Sequence, residues 1–176
     1  MEPKLIDIQK FKDERGFFLQ TYTPSLGLTE TYYQDCVSFS KKNVCRGIHF
    51  QVLKPMSKIV TVLSGKIIDY IVDLRVNSPT YLQVIKFELT EDRPQSLFIP
   101  KGYGHAFFSL EDSLVSYKCS EVYHKSLDRT INVYDNLVDL QLPVSKENVI
   151  LSEKDLNGMS ISDYQKDFIF TVENTE

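Results

Sequence analysis

The sequence is short of cysteine, of basic segments and of long apolar runs, and each shortage excludes a class of protein. Its 176 residues include three cysteines and carry a formal net charge of -4. Because Cys36, Cys45 and Cys119 form no C-x-x-C pair, neither a disulfide framework nor a thiolate zinc site is indicated, and a reducing compartment fits best. Without a block of Lys and Arg, the chain lacks the excess positive charge that a general nucleic-acid binder needs.

No apolar run approaches the roughly 20 residues of a membrane-spanning helix. The first eight residues also show no basic segment followed by a long apolar core, as a signal peptide would. We therefore expect a cytoplasmic protein with no membrane or nucleic-acid partner. The length and the ordinary apolar (42%) and charged (25%) fractions predict one globular domain spanning residues 1–176.

What the sequence does contain is a series of short β-prone runs separated by turns. We predict strands at residues 5–8, 17–22, 34–40, 46–51, 58–63, 66–74, 84–89, 96–99, 105–108 and 114–122. Their regular spacing, the glycine and proline at the joints and the lack of an alternating helix pattern indicate an all-β jelly-roll sandwich. Residues 58–74 have the form of a β-hairpin that turns at Ser64-Gly65. Ser152, followed three residues later by Asp155, has the capping-box form and predicts a short helix near the C-terminus.

The stretch 43–51 holds an unusual set of polar residues among apolar ones, namely Arg46, His49 and Gln51. Because side chains alternate along a strand, His49 and Gln51 are predicted on one face and Arg46 on the other. Such a mixture indicates a functional site, although a single histidine can also be a partly buried residue held by a hydrogen bond.

Five more polar side chains lie in or beside apolar strands, where each would be costly to bury without a partner or a ligand. They are Lys58, Asp69, His105, Tyr117 and Tyr123. On a straight strand Tyr117 and Tyr123 would share one face about 20 Å apart, so we expect them at opposite ends of a groove.

A histidine base, a lysine and a tyrosine acid together suit the removal of a proton next to a carbonyl, without a metal or a cofactor. A metal site is the competing hypothesis, because residues 100–105, Pro-x-Gly-x-x-His, resemble the second motif of metal-binding cupins. The first cupin motif needs two histidines one residue apart, whereas this chain has His49-Phe50-Gln51. A neutral amide is a poor replacement for an imidazole ligand, which favours metal-free acid–base chemistry.

From about Ile6 to Asp155 the chain resembles the dTDP-4-dehydrorhamnose 3,5-epimerase family, whose enzymes are nucleotide-4-keto-6-deoxysugar epimerases. The matching motifs are Asp13-x-Arg15-Gly16-x-Phe18, Gln34-Asp35-x-x-Ser38, Arg46-Gly47-x-His49-Phe50-Gln51, Lys58-x-Val60, Gly65-x-x-x-Asp69-x-x-x-Asp73-x-Arg75-x-x-Ser78-Pro79-Thr80, Ile99-Pro100-x-Gly102-x-x-His105-x-Phe107 and Tyr117-x-Cys119-x-x-x-Tyr123. So many pieces in the right order make the resemblance specific.

The resemblance implies a cupin-like homodimer, free of metal and cofactor, that epimerises dTDP-4-dehydro-6-deoxy-D-glucose at C3 and C5 in deoxysugar biosynthesis. It implies that His49 is the base and Asp155 its partner, and Asp155 can also be the acid of the capping box. Tyr117 would be the proton donor and Lys58 the stabiliser of the enolate. Substrate contacts are implied for Arg15, Phe18, Gln20, Gln34, Cys36, Arg46, His105, Tyr123, Asp128 and Lys154. A strand-exchanged dimer would bring Arg15 and Phe18 to the partner's pocket.

Three positions depart from the family pattern. Asp128 and Gln20 stand where the family has glutamate, and Cys36 stands where it has asparagine. Because the positions of Gln20 and Cys36 contact the nucleotide in the family, these two residues leave open which nucleotide base and which sugar the protein binds. An epimerase that inverts C3 or C5 alone, or that uses another nucleotide sugar, fits the same residues. A sugar 3,4-ketoisomerase and a non-catalytic sugar-binding module remain further alternatives, but the intact base and acid favour an epimerase.

Overall fold

The computed structural model describes residues 1–28, 30–167 and 169–175. In these residues the chain forms short strands with a few helical turns. The strands are β1 (Lys4–Asp7), β2 (Lys10–Asp13), β3 (Gly16–Leu19), β4 (Gln34–Ser40), β5 (Cys45–Gln51), β6 (Lys58–Ser64), β7 (Lys66–Asp73), β8 (Val84–Thr90), β9 (Gln95–Ile99), β10 (Tyr103–Ser109), β11 (Ser113–Cys119) and β12 (Asp128–Thr130). The helices are α1 (Glu153–Leu156) and α2 (Ile161–Tyr164), with 3-10 turns at Pro24–Leu26 and Lys146–Asn148.

Two five-stranded antiparallel sheets make up the body of the molecule. The first sheet has the order β1-β9-β6-β11-β4 and the second has the order β12-β5-β10-β7-β8. Strands β2 and β3 form a separate two-stranded ribbon. The predicted all-β jelly roll with short helices near the C-terminus is confirmed. None of the helices in the described part of the chain has the length and apolar character that crossing a membrane requires.

Apolar side chains bury both faces of the second sheet. Between the two sheets, Val60 and Val115 of the first sheet pack in one cluster with Ile71 and Phe107 of the second. The outer face of the second sheet is covered by the C-terminal segment, where the Tyr164 ring meets the Phe50 ring edge-on at 5.4 Å between centroids. The central strands of this sheet therefore form a rigid floor for polar residues that face the interior.

The predicted hairpin over residues 58–74 is wrong. Strand β6 pairs with β9 and β11, whereas β7 pairs with β8 and β10, so the chain crosses from the first sheet to the second at Ser64-Gly65. Gly65 has a φ of +83°, and a Cβ there would lie 2.3 Å from the carbonyl oxygen of Asp112. The glycine serves a crossing between sheets, which an apolar run on each side of a glycine does not distinguish from a hairpin.

Strand β5 breaks the alternation that its sequence predicts. Its ladder with β10 pairs His49 with His105 and Arg46 with Phe107, so β5 carries one extra residue between the two pairs. The extra residue forms a β-bulge, and a bulge reverses which face the following side chains point to. Arg46 and His49 therefore line the same cavity, and the prediction that they lie on opposite faces is wrong.

Gly47 lies inside this bulge and is required there. Its φ is +119°, a region that side chains other than glycine rarely adopt. A Cβ at Gly47 would also lie 2.4 Å from the carbonyl oxygen of His105 and 2.7 Å from Ala106 Cα. The glycine allows β10 to approach β5 closely while the bulge turns His49 inward.

The predicted helix start near the C-terminus is confirmed. Ser152 is the N-cap of α1, and its Oγ accepts a hydrogen bond of 3.1 Å from the backbone N–H of Asp155. Asp155 is 3% exposed although it lies in a short surface helix. This burial places its carboxylate against β5.

Candidate active site

A cavity of about 410 Å³ opens between the two sheets. Its walls come from both sheets, from α1 and from the loops before β6 and after β11. The lining residues are Gln34, Cys36, Arg46, His49, Phe50, Gln51, Met56, Lys58, His105, Phe107, Tyr117, Cys119, Tyr123, Asp128 and Lys154.

His49 and Asp155 form a pair at one wall of the cavity. His49 Nε2 lies 2.5 Å from Asp155 Oδ1, and Asp155 Oδ2 accepts a hydrogen bond of 2.7 Å from Ser152 Oγ. Asp155 therefore caps α1 and contacts His49 at the same time, as the sequence allowed. Burial alone would raise the pKa of Asp155, but the hydrogen bonds from His49 and Ser152 and the nearby charges outweigh burial and lower it.

This pair defines which imidazole nitrogen is available for chemistry. An ionised Asp155 can only accept, so His49 Nε2 carries the hydrogen and donates it to Oδ1. In the neutral ring the free lone pair is then on Nδ1. His49 is partly exposed to the cavity that it lines, so Nδ1 is the nitrogen that can accept a proton from a bound molecule.

Tyr117 projects from β11 of the first sheet into the same cavity. Its hydroxyl lies 2.7 Å from Ser38 Oγ on the neighbouring strand β4. Burial raises the pKa of Tyr117 above its usual value, the Asp69 carboxylate adds to that effect, and the Ser38 hydroxyl opposes it. Tyr117 is therefore a protonated phenol at neutral pH, which suits a proton donor.

Lys58 stands at the start of β6, opposite Cys119 in the ladder with β11. Its ammonium group is half-buried, and burial lowers the pKa of Lys58 despite nearby groups that favour the charged form. A cation in such a place strengthens its interaction with any negative charge that develops beside it, because little water screens it.

His105 and Asp69 form a second, more deeply buried pair. His105 Nε2 lies 2.8 Å from Asp69 Oδ1, although the angle at this contact is not that of an ordinary hydrogen bond. The two residues are 5% and 0% exposed. Burial lowers the pKa of His105, and the Asp69 carboxylate opposes that change. The pair thus places a compact polar group at the floor of the cavity.

Two cationic side chains stand at other points of the cavity wall. Arg46 is held by β4, because its Nε donates to Ser40 Oγ at 2.9 Å and its Nη2 to the Phe39 carbonyl oxygen at 3.1 Å. Lys154 of α1 forms an ion pair with Asp128. Arginine and lysine directed into one cavity suit an anionic ligand such as a diphosphate.

Tyr123 lines this cavity too, but the prediction of one straight strand carrying both tyrosines is wrong, because Tyr123 lies beyond the end of β11. Strand β11 ends at Cys119, and the backbone of the following loop is hydrogen-bonded to the side chains of Gln34 and Gln51. Gln34 Oε1 accepts a hydrogen bond of 2.6 Å from the Tyr123 N–H, and the Tyr123 hydroxyl donates to Asp128 Oδ2 at 3.0 Å. The Tyr123 ring is thus positioned at the rim.

Gln51 holds the same turn from the other side. Its Nε2 donates to the carbonyl oxygens of Lys54 at 2.9 Å and Val122 at 3.4 Å, and its Oε1 accepts from the His124 N–H at 2.8 Å. Gln51 is 3% exposed, and its amide hydrogen-bonds to the backbone of this turn.

Within the described ranges, no three His, Cys, Asp or Glu side chains come together as a metal ion would need.

Three of the predicted substrate contacts lie away from the cavity in this chain. Arg15 is in the turn between β2 and β3, where its Nη2 pairs with Asp13 Oδ2 at 2.5 Å. Phe18 of β3 is 64% exposed, and Gln20 follows the end of that strand. Their contact with a substrate stays a prediction. All other predicted residues line the cavity, apart from Asp155, which reaches it through His49.

Several residues of the cavity wall were not among the site residues predicted from the sequence. They are Phe50, Met56, Phe107 and Cys119. Phe107 and Cys119 carried a usable signal, because each lies two positions after a predicted site residue on the same strand. Ser38 also matched the family motif, yet no role was predicted for it. No comparable signal marks Met56.

Comparison with known proteins agrees with this geometry. The family model for dTDP-4-dehydrorhamnose 3,5-epimerase matches residues 2–163. The dTDP-4-dehydrorhamnose 3,5-epimerase of Methanothermobacter thermautotrophicus is 38% identical over 159 residues, which cover 87% of this chain and 86% of the relative.

Solved structures of similar proteins extend the likeness to the fold. The dTDP-6-deoxy-D-glucose-3,5-epimerase of Legionella pneumophila, in complex with dTDP-4-keto-L-rhamnose, has a TM-score of 0.90 and 31% identity and covers 96% of this chain and 93% of its own. The dTDP-4-dehydrorhamnose 3,5-epimerase of Bacillus anthracis, with TDP and PPi bound, has a TM-score of 0.83 and 36% identity, with coverage of 90% and 93%. From the matched motifs, the cavity and these comparisons, the chain belongs to the dTDP-4-dehydrorhamnose 3,5-epimerase family.

Proposed function

We propose that this protein inverts C3 and C5 of dTDP-4-dehydro-6-deoxy-D-glucose without a metal ion. The observation that carries the proposal is one cavity, in a member of this family, that holds the His49–Asp155 pair together with Tyr117 and Lys58. The ligands of the Legionella and Bacillus relatives, dTDP-4-keto-L-rhamnose and TDP, support a thymidine diphosphate carrier.

His49 is proposed as the base. A proton on the carbon next to a ketone is acidic because its removal leaves an enolate, in which the carbonyl oxygen carries the charge. His49 Nδ1 takes this proton, and the resulting imidazolium is stabilised by the Asp155 carboxylate 2.5 Å from Nε2.

Lys58 is proposed to stabilise the enolate oxygen. Its half-buried ammonium provides a positive charge where the ketone becomes negative, and this interaction is stronger in the transition state than with the neutral ketone. The lowered pKa of Lys58 makes its ammonium group a stronger acid, which favours donation of a hydrogen bond or a proton to that oxygen.

Tyr117 is proposed as the acid that completes inversion. Inversion requires that a proton leave one face of the carbon and that another arrive on the opposite face. His49 belongs to β5 of the second sheet and Tyr117 to β11 of the first, so a sugar ring between the sheets presents one face to each. This arrangement supports inversion over simple exchange at one face.

The remaining polar residues are proposed to hold the carrier. Arg46, Lys154 and His105 suit the diphosphate and the sugars, and Tyr123 at the rim suits packing on the nucleotide base. Phe18 would pack on the same base from a partner subunit.

A homodimer is part of the proposal. Phe18 of the β2–β3 ribbon is 64% exposed, and Val37 and Phe39 of the edge strand β4 are 60% and 56% exposed. Apolar side chains grouped on an edge strand and a ribbon are typical of a subunit interface. A second copy would cover them, and Arg15, Phe18 and Gln20 of one subunit would then lie near the cavity of the other.

The proposal is tested by identifying the sugar that the protein produces when a chelator removes metal ions. The purified protein is incubated with dTDP-4-dehydro-6-deoxy-D-glucose and a chelator, and the sugar is analysed by carbon and proton NMR. We expect the ketone to remain at C4 with C3 and C5 inverted, and inversion at one carbon would make the protein a single-position epimerase. A ketone at C3 would identify a 3,4-ketoisomerase instead.

Two controls complete this experiment. dTDP-glucose, which lacks the ketone, should remain unchanged. If the 4-keto sugar also stays unchanged, calorimetry separates the remaining outcomes: binding without reaction indicates a sugar-binding module, and no binding indicates another nucleotide, with Gln20 and Cys36 as the first residues to examine.

A further inference from the structure

Ser38 contacts Tyr117, the proposed acid, but is not itself a residue of the cavity wall. It lies on β4, on the same strand face as the cavity residues Gln34 and Cys36. Its Oγ is 2.7 Å from the Tyr117 hydroxyl oxygen. Strand β4 pairs with β11 in register across its full length, so the contact joins two neighbouring strands of one sheet.

The direction of this hydrogen bond follows from the chemistry of Tyr117. A phenol has one hydrogen, and a phenol that protonates a substrate carbon must direct that hydrogen into the cavity. Tyr117 then cannot donate to Ser38, so the Ser38 hydroxyl donates to the phenol oxygen. As the proton leaves, the phenol oxygen becomes negative, and a hydrogen bond to a charged acceptor is about twice as strong as one to a neutral acceptor.

We propose that Ser38 is a positioning residue that aims the Tyr117 hydroxyl at the substrate and stabilises the phenolate as the proton leaves. The inference rests on the proposed function and deepens it, because Ser38 acts through Tyr117 and touches no reacting atom.

The surroundings of Tyr117 make such a donor necessary. Burial raises the pKa of Tyr117 and the Asp69 carboxylate raises it further, so both disfavour the phenolate that must form during the reaction. Ser38 and Arg46 act in the opposite direction. Of these two, Ser38 is the one in hydrogen-bond contact with the oxygen that becomes charged.

Strand β4 carries a second serine in contact with a cavity residue, two positions after Ser38. Ser40, on the same face of β4 as Ser38, accepts a hydrogen bond of 2.9 Å from Arg46 Nε. Small hydroxyl side chains on this face thus contact one cavity residue from the neighbouring strand β11 and one from β5 of the opposite sheet.

Proton exchange and inversion, measured together, test the proposal. In deuterated buffer, His49 exchanges the carbon-bound hydrogen, whereas inversion also needs Tyr117. We expect Ser38→Ala to lower the rate of inversion at the carbon that Tyr117 protonates by about ten- to hundredfold while leaving exchange near the wild-type rate. Ser38→Thr, which keeps a hydroxyl donor, should restore inversion.

A double-mutant cycle separates this role from a merely structural one. If Ser38 acts through Tyr117, Ser38→Ala should have no further effect on inversion in a Tyr117→Phe background. The matched control is Ser116→Ala, which removes a hydroxyl next to Tyr117 on the opposite face of β11. It should leave the ratio of inversion to exchange unchanged.

Several results would overturn the inference. They are an unchanged ratio of inversion to exchange in Ser38→Ala, an equal loss of exchange and inversion in that variant, or a further loss of inversion when Ser38→Ala is added to Tyr117→Phe. If Ser38→Ala does not fold, Ser38→Cys keeps the volume with a weaker donor, and its ratio must then lie below the wild-type ratio. A wild-type protein that neither exchanges nor inverts would overturn the proposed function itself, which distinguishes the two failures.

Discussion

Lys58 gives the proposed site its pH dependence on the alkaline side. Burial lowers the pKa of this ammonium group, so its charge is lost at a lower pH than that of an exposed lysine. Tyr117 does not contribute to the same loss, because burial raises its pKa. A fall in kcat at alkaline pH should therefore report Lys58.

Two substitutions at Lys58 test this assignment. Lys58→Met should lower kcat by about 10²–10³-fold, the usual cost of removing one group that stabilises a developing oxyanion. Lys58→Arg keeps its charge at every accessible pH, so the alkaline fall in kcat should disappear even if the maximum is lower. Steady-state kinetics between neutral pH and pH 10 measure both effects. An alkaline fall that stays in place in Lys58→Arg would assign it to another group.

Asp155 should matter both for catalysis and for stability at low pH. Asp155→Asn removes the charge that stabilises the His49 imidazolium, and we expect kcat to fall by about 10²-fold or more. The KM should change little, because Asp155 lies behind His49 and is not part of the cavity wall.

The sign of the stability effect follows from the lowered pKa of Asp155. A carboxylate whose pKa is lower in the folded state stabilises the fold above its unfolded pKa of 3.8. This contribution is lost as the pH falls through the folded pKa. Urea unfolding should thus show a steeper loss of stability below about pH 4 in the wild type than in Asp155→Asn. Parallel curves would argue against a stabilising carboxylate.

The bulge in β5 is the structural element on which the site depends. It turns Arg46 and His49 to one side, and it needs Gly47 both for its φ of +119° and for the close approach of β10. We expect Gly47→Ala to lower the free energy of unfolding by roughly 3 kcal/mol or more, because backbone strain and a clash with the β10 backbone add together.

Gly16 provides a matched control for that substitution. Its φ is +129°, close to that of Gly47, but a Cβ there would meet no atom within 4 Å. Gly16→Ala should therefore show only the backbone strain, and denaturant unfolding of the two variants isolates the cost of the clash. Equal losses would mean that the close approach of β10 to Gly47 is unimportant.

The strands themselves could be predicted from local sequence, but their pairing could not. The β-branched and aromatic runs located most strand positions, and the Ser152–Asp155 spacing located α1. The crossing at Gly65 and the bulge at Gly47 depend on a second sheet approaching from elsewhere in the chain. A pattern of alternating side chains contains no information about such an approach.

At the scale of the whole molecule, the site is made of residues that are far apart in sequence. His49 and Asp155 are separated by 106 positions, and Tyr117 comes from the opposite sheet. The residue types alone indicated acid–base chemistry, and their assignment as base, partner and acid came from the family resemblance. Only the fold shows that Asp155 both caps a helix and contacts His49, and that Ser38 contacts Tyr117.

The proposed dimer makes a prediction about shared sites. If Arg15 serves the partner's cavity, a mixed dimer of Arg15→Ala and His49→Ala chains has one cavity with both wild-type residues. Mixing the two weakly active variants under conditions of subunit exchange should then restore activity, up to about a quarter of the wild-type rate, since half of the dimers are mixed and each has one intact site of two.

The mixing experiment can also show that Arg15 of one subunit does not serve the cavity of the other. Mixing Lys58→Met with His49→Ala is the control, because both residues line the cavity of one chain and no mixed dimer has an intact site. No recovery in the Arg15 and His49 mixture, with dimers confirmed by light scattering, would place Arg15 outside the partner's cavity.

The role of His49 as the base is tested most directly by proton NMR of dTDP-4-dehydro-6-deoxy-D-glucose in deuterated buffer with a chelator, using the wild type and His49→Ala. We expect deuterium at C3 and C5 with the wild type and none with His49→Ala. This variant should still bind the nucleotide sugar within about tenfold of the wild-type affinity. Equal deuterium incorporation by His49→Ala, or none by a wild type that binds the sugar, would contradict a histidine base in this cavity.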